Sequence, residues 1–449
     1  MVRPGAIGET GDRPAGTDDP RRARTRLTAQ PMSAHSGTRT SSHRHTPLFE
    51  GTTMPRRAIP ADPSVGDRIR ARRELRGGWS IRHAASRAGI SHTTWSRIER
   101  GLQRTDRYMV VDLAAALECS VVDLTGQPYT PADRQLEGAR IEAERVWRVM
   151  MAHPFGGPPV VGVGAANVGQ VAREAALVRD LYGRCDYAGA LRRLVDLLPT
   201  LHKVTDQRAA YQLMLPVYGV AMGSLLNVGY PAHAWLAAER CAEAADLLDD
   251  PVAVGVAAAN RARVAAHTGA YGAARAYCDR AGLDLEGSDA ETALDVLGFL
   301  HLARAHHLAG LKDQIAAEDH LDEATRIAAH TGETTSWDLA WGPSNVALWR
   351  MAYQLDTGRP HEALLTAGGV AVTELPAVRQ VYFWLDMARA MVAAERERDA
   401  VRMLSTAERV GPQHTRSSAA AREIARGLLR QGLVSTDLRG LCERMGVTG

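Results

Sequence analysis

Trp79-Ser-Ile-Arg-His-Ala-Ala-Ser-Arg-Ala-Gly-Ile-Ser-His-Thr-Thr-Trp-Ser-Arg-Ile-Glu-Arg-Gly101 decides how the rest of this chain is read. Ser80 has the side chain of a helix N-cap, and the helix it starts runs about two turns before Gly89, a residue that takes a left-handed conformation at low cost. Ser91 caps a second short helix. The corner between the two, Gly89-Ile90-Ser91, is short, and Ala85 supplies the small side chain that lets the helices approach. On the second helix Trp95 and Ile98 share a face and point inward. His92, Thr93, Ser96 and Arg97 are thereby turned outward.

Working outward, residues 64–126 divide into five short helical segments, separated by Arg76-Gly77-Gly78, Gly89-Ile90-Ser91, Gly101 and Cys119-Ser120. Upstream, residues 1–63 are rich in Arg, Gly, Thr, Ser, Pro and Asp and lack apolar periodicity, so they read as a disordered extension. Met54 stands eleven residues before Val65 and offers an alternative start. Downstream, residues 127–169 read as a helical and Gly/Pro-rich linker. Its helical run, Pro131 to Met151, carries Ile141, Trp147 and Met151 on one face, suited to linking or dimerising. Its end, 154–169, holds too much glycine and proline for a helix.

From 170 to 432 helix follows helix, with small turns at Gly183, Gly229, Gly269, Gly310 and Gly358, spaced by 46, 40, 41 and 48 residues. One glycine turn between two helices, the second alanine-rich (Ala273, Ala274, Ala276; Ala316, Ala317, Ala324), describes stacked helical hairpins that bury their faces on their neighbours. The pattern resembles tetratricopeptide repeats, with a period above the usual value of about 34 and with Gly269-Ala270-Tyr271-Gly272-Ala273-Ala274 as the matching fragment. Residues 433–449 read as a C-terminal tail. The expected fold class is all-α: a small N-terminal helical domain followed by an α-solenoid.

Composition agrees. Hydrophobic residues make up 45% of the 449, aromatics only 5%, which favours helices over sheets. Cys119, Cys185, Cys241, Cys278 and Cys442 are scattered, with no metal-ligand spacing, and read as buried thiols of a reducing compartment. Absence of an apolar run of about 18 residues and of a signal peptide leads to a cytoplasmic protein that does not enter the membrane. The net charge of +3 conceals an asymmetry: the first 126 residues sum to +8 and the remainder to −5. A basic head on an acidic body is the footprint of a nucleic-acid-binding module joined to something else.

Over residues 64 to about 126 the sequence resembles the lambda-repressor-like, or XRE, family of helix-turn-helix regulators. A leading helix from Val65 to Arg76 precedes the opening motif, Ile98-Glu99-Arg100-Gly101 matches the family's Ile-Glu-Arg-Gly close, and Leu113–Leu124 matches its trailing helix pair. The resemblance implies that the second helix of the motif enters the DNA major groove. By position, His92, Thr93, Ser96 and Arg97 then face the bases, with Arg97 able to donate two hydrogen bonds to guanine. Arg82, Arg87, Arg100 and Arg104 are assigned to phosphates. Two positions depart from the family pattern. Ile81 stands where a phosphate-contacting glutamine is common, and Ala84 replaces a bulky apolar residue, leaving space for Trp79 or Trp95.

The long helical region resembles sensor or oligomerisation domains of large actinobacterial XRE-type regulators, through Trp341-Gly-Pro-Ser-Asn-Val-Ala-Leu348 among other segments. Asn345 or Arg379 could hydrogen-bond a peptide backbone in a concave groove. The glycines between Gly162 and Gly169 depart from a dinucleotide-binding spacing and read as linker. His301, His306 and His307 are not spaced as helical metal ligands. With no catalytic motif, cofactor site or metal site legible, the expectation is a regulator and not an enzyme. It would bind double-stranded DNA as a homodimer across two half-sites, and its repeats would sense a peptide, small molecule or protein. The competing reading is an interaction scaffold with a vestigial or non-specific basic head.

Overall fold

Serine and aspartate caps set the start of each N-terminal helix. In the computed structural model, which describes residues 63–128, 134–155, 166–288, 290, 292–433 and 435–448, helix α1 spans Val65–Leu75 and begins at Ser64. The Ser64 hydroxyl accepts the Asp67 amide at 3.1 Å, and the Asp67 carboxylate accepts the Ser64 amide at 3.0 Å. Ser80, Ser91 and Asp106 cap α2 (Ile81–Arg87), α3 (His92–Glu99) and α4 (Arg107–Ala116). Ser120 forms a second capping box with Asp123 at the start of α5, Val121–Thr125. Val65, Ile69, Ala84, Ala85, Trp95, Ile98, Leu113, Leu117 and Leu124 close one core among these five helices. The space beside Ala84 belongs to this core, where Trp95 is fully buried and Trp79 packs at its edge.

Helix α6 (Arg134–Ala152) leads to six antiparallel hairpins. They pair α7 (Val168–Gly183) with α8 (Tyr187–Leu201), α9 (Gln207–Asn227) with α10 (Pro231–Leu248), and α11 (Pro251–His267) with α12 (Tyr271–Leu285). Then come α13 (Ala293–Gly310) with α14 (Gln314–Thr331), α15 (Pro343–Asp356) with α16 (Pro360–Ala367), and α17 (Ala377–Ala393) with α18 (Glu397–Val410). Successive first helices pack on one another, and α17 returns to touch α7, so the six first helices close a ring. Three short helices finish the chain: α19 (Pro412–Ser417), α20 (Ala419–Arg430) and α21 (Thr436–Met445). The described residues hold no strand, only one isolated bridge between Thr334 and Trp341.

The turn inside each hairpin has a left-handed residue, and these are Cys185, Gly229, Gly269, Lys312, Gly358 and Glu395. Glycine supplies it at three of the five expected turns. At the other two, Gly183 and Gly310 end their helices and the bend falls two residues later. Gly310 is there for space: a Cβ on it would come within 2.6 Å of the Tyr271 ring. The sixth turn, at Glu395, has no glycine to announce it.

Four sequence expectations change. First, α6 belongs to the repeat region and is no linker: Leu136, Ala139, Ala143, Val146 and Met150 are buried, and it packs along α8. Ile141 and Met151 point to solvent, because small Ala139 and Ala143 allow the close approach on the other face. Second, the segment expected as a tail contains α21, whose Leu438, Leu441, Cys442 and Met445 recur at helical spacing and are buried. Third, α9 is long and apolar enough to cross a membrane by length and composition, with mean hydropathy 1.3. Its Leu215, Tyr218, Met222 and Leu225 are instead buried among neighbouring helices, as in a core helix. Fourth, Asn345 is fully enclosed, so its amide does not reach a groove. Residues 1–62 of the extension expected to be disordered, and the first half of the Gly162–Gly169 segment, lie outside the described residues.

Candidate nucleic-acid interface

The exposed face of α3 depends on a buried strut behind it. Trp95 Nε1 donates to Glu99 Oε1 at 2.7 Å, and Arg73 Nε and Nη2 donate to the Glu99 carboxylate at 2.6 and 3.0 Å. Arg73 Nη1 also donates to the Trp79 carbonyl at 2.8 Å, tying α1 to the residue before α2. Glu99 is only 4% exposed, yet each carboxylate oxygen has a partner. Hydrogen bonding to Glu99 outweighs burial and raises the Arg73 pKa, which keeps the guanidinium charged.

With Trp95 and Ile98 drawn inward, His92, Thr93 and Arg97 are exposed and Ser96 is half-buried on the same side. The α2–α3 corner is Ala88-Gly89-Ile90-Ser91, with Gly89 at φ +67°. Arg82 is exposed on α2, while Arg100 is exposed and folds its Nε onto the Ser96 carbonyl at 3.2 Å. Three guanidiniums, one imidazole and two hydroxyls are therefore presented on or beside the outer face of a rigid helix pair, a set able to pair with base edges and phosphate oxygens.

Residues 64–125 match the family described as a helix-turn-helix domain. This segment is a helix-turn-helix domain. Among solved structures, the crystal structure of Bacillus thuringiensis PlcR in complex with the peptide PapR7 and DNA is similar at 16% identity. That similarity covers 60% of this chain and 95% of that one, with a TM-score of 0.32. No curated protein matches the chain.

Two arginines assigned to phosphates from the helix-turn-helix sequence are committed elsewhere. Arg104 Nη2 donates to the Ile424 carbonyl of α20 at 3.4 Å and lies against Gly427. Burial pushes its pKa down to about 10. Arg87 stacks on Trp79 at 4.8 Å, donates to the Ala116 carbonyl at 3.0 Å and pairs with Glu118 at 2.8 Å. Of the named DNA-facing set, His92, Thr93, Arg97, Arg82 and Arg100 are exposed and Ser96 is half-buried.

The helix-turn-helix domain is seated on one rim of the ring, at the turns that end α11, α13 and α15. Arg107, the first residue of α4, pairs with Asp356 at 2.6 Å, and Asp356 is also held by Arg389 at 2.5 Å, which pairs with Asp386 at 2.8 Å. Tyr108 O–H lies 2.8 Å from His306 Nδ1, and Lys312 pairs with Asp112 at 2.9 Å. The domain's first turn adds a bond from the Val65 amide to Glu423 at 3.4 Å. Sequence reading missed Arg107 altogether, since nothing local separates it from the other arginines of a basic segment. Of the histidines considered together, His301 faces His320 at 2.8 Å and His306 faces Tyr108.

Proposed function

We propose that the chain is a DNA-binding transcriptional regulator of the lambda-repressor-like type, acting in the cytoplasm by binding and not by catalysis. The observation that carries this reading is the open side of α3: His92, Thr93 and Arg97 exposed on a helix locked from behind by Trp95, Ile98 and the Arg73–Glu99 pair. Two copies would grip an operator with two half-sites, the arrangement by which small domains of this kind gain affinity. The ring of hairpins would sense a peptide, small molecule or protein and relay occupancy through the rim contacts at Arg107 and Tyr108.

A salt titration of DNA binding tests it. Contacts from Arg82, Arg100 and neighbouring residues to phosphates release counterions, so log affinity should fall steeply and linearly with log salt, with one sequence preferred throughout. A slope near zero would instead favour the interaction scaffold.

A further inference from the structure

The first helices of the hairpins bring two arginines together inside the ring with no acid to meet them. Arg263 of α11 reaches across to α7, α9 and α17, where its donors find the Tyr182 hydroxyl at 3.4 Å, Asn227 Oδ1 at 3.5 Å and the Tyr382 hydroxyl at 3.5 Å. All three acceptors are neutral and all three distances are long for hydrogen bonds. Arg379 stands three residues before Tyr382 on α17, and among the described residues its guanidinium has no hydrogen bond or ion pair. Both side chains are half-buried, so each keeps some contact with water.

The surrounding groups add no negative charge. Tyr382 O–H donates to Asn227 Oδ1 at 3.3 Å, Asn227 Nδ2 donates to the Tyr187 hydroxyl at 2.9 Å, and Tyr187 O–H lies 2.6 Å from His414 Nδ1. Burial, with Arg263 and Arg379 next, pushes His414 down to about 3, so the imidazole is neutral. Burial first and then Arg263 lower the Arg379 pKa, as expected where a positive charge faces another with no counterion. Other half-buried arginines of this chain behave differently: Arg389 has Asp356 and Asp386, and Arg73 has Glu99. A charge drawn even partly out of water is ordinarily paired.

We propose that Arg263 and Arg379, with the hydroxyls of Tyr182 and Tyr382, form the binding site for a carboxylate of a ligand held inside the ring. The proposal rests on the reading of the ring as a sensor and names the chemistry it senses. Guanidinium forks match the planar geometry of a carboxylate, the Tyr182 hydroxyl of α7 adds a neutral donor, and the Tyr382 hydroxyl, which gives its proton to Asn227, holds Arg263 in place. The carboxylate is the C-terminus of a short peptide or belongs to a small organic acid.

Thermal melting of the full-length protein tests the site. The probes are sodium succinate, inorganic phosphate, and short random-sequence peptides with free or amidated C-termini, each compared with sodium chloride at equal ionic strength. Wild type should be stabilised by succinate or by free peptides and not by amidated ones, and the responding probe identifies the source. In Arg379→Gln that affinity should fall on the order of tenfold or more. Without any probe, Arg379→Gln should melt above wild type, because it relieves an uncompensated charge. Melting below wild type would make Arg379 a structural group and overturn the proposal. So would stabilisation that survives the substitution, an equal response to phosphate or amidated peptides, or no response to any carboxylate. DNA affinity measured on the same samples separates the two readings: intact DNA binding with no carboxylate response sinks this site alone. Amidated peptides that shift melting and DNA affinity as much as free ones leave sensing standing and remove the carboxylate.

Discussion

Arg107 opens α4 of the helix-turn-helix domain, Asp356 closes α15 of the ring, and the two meet at 2.6 Å. The Asp356 carboxylate is 1% exposed and is shared with Arg389, so one enclosed anion joins the DNA-binding domain to two first helices of the ring. Asp356→Ala should cost about 3–5 kcal/mol in denaturant unfolding, since it strands two arginines beside a single remaining acid, Asp386. A double-mutant cycle with Arg107→Ala should give a coupling of about 0.5–3 kcal/mol. Zero coupling would mean that the domain is held to the ring without this contact.

Gly66 lies in α1 where that helix crosses the end of α3. A Cβ there would stand 2.4 Å from the Ile98 carbonyl oxygen, which is backbone and cannot swing aside. Alanine normally stabilises a helix interior relative to glycine by about 1 kcal/mol. Here Gly66→Ala should do the reverse, destabilising by about 1–3 kcal/mol and weakening DNA binding with it. Chemical denaturation reads the sign, and a stabilised variant would show that α1 and α3 are further apart than described.

Arginines that look alike in sequence should separate in a salt titration. Arg82→Ala and Arg100→Ala should each reduce the salt slope of DNA binding by about 1, as expected for a lost phosphate contact. Arg104→Ala should leave the slope unchanged, because its guanidinium is turned onto the Ile424 carbonyl, and should appear as a stability loss of about 1–3 kcal/mol. Equal slopes for Arg82→Ala and wild type would remove Arg82 from the interface.

Acid should loosen the contacts of Glu408 with α19 and α21. Burial alone would raise the Glu408 pKa, but Arg444 at 2.5 Å and Arg416 at 2.9 Å override it and hold the carboxyl below its ordinary value. A carboxyl depressed in the folded state contributes stability that is present above its unfolded pKa and is lost as pH falls through the folded one. Glu408→Gln should therefore be less stable than wild type at neutral pH, with the gap narrowing as pH drops below the glutamate range. A gap independent of pH would contradict the ion-pair account.

What sequence disclosed was local. Ser80, Gly89 and Ser91 cap and turn where expected, and Trp95 and Ile98 are buried, because capping and helical period act over a few residues. Repeated glycines revealed five of the six hairpin turns; the sixth bends at Glu395 in a left-handed conformation that glutamate does not advertise. The fates of Arg104 and Arg107 were illegible for a different reason. Their partners, Ile424 and Asp356, lie hundreds of residues further along, and only closure of the ring brings them near. Arg379 stood out in the sequence only as a possible peptide contact; Arg263 was hidden in the same way as Arg104 and Arg107, unremarkable on its own helix until α11 meets α17.

The most direct measurement is selection of genomic DNA fragments by the purified protein at about physiological salt, wild type beside Arg97→Ala. Wild type should enrich one inverted-repeat site, and Arg97→Ala, folded normally because its side chain is exposed, should lose about ten- to a hundredfold of the preference at one base position. Enrichment of no sequence by wild type, or an unchanged preference in Arg97→Ala, would contradict base reading by the exposed face of α3.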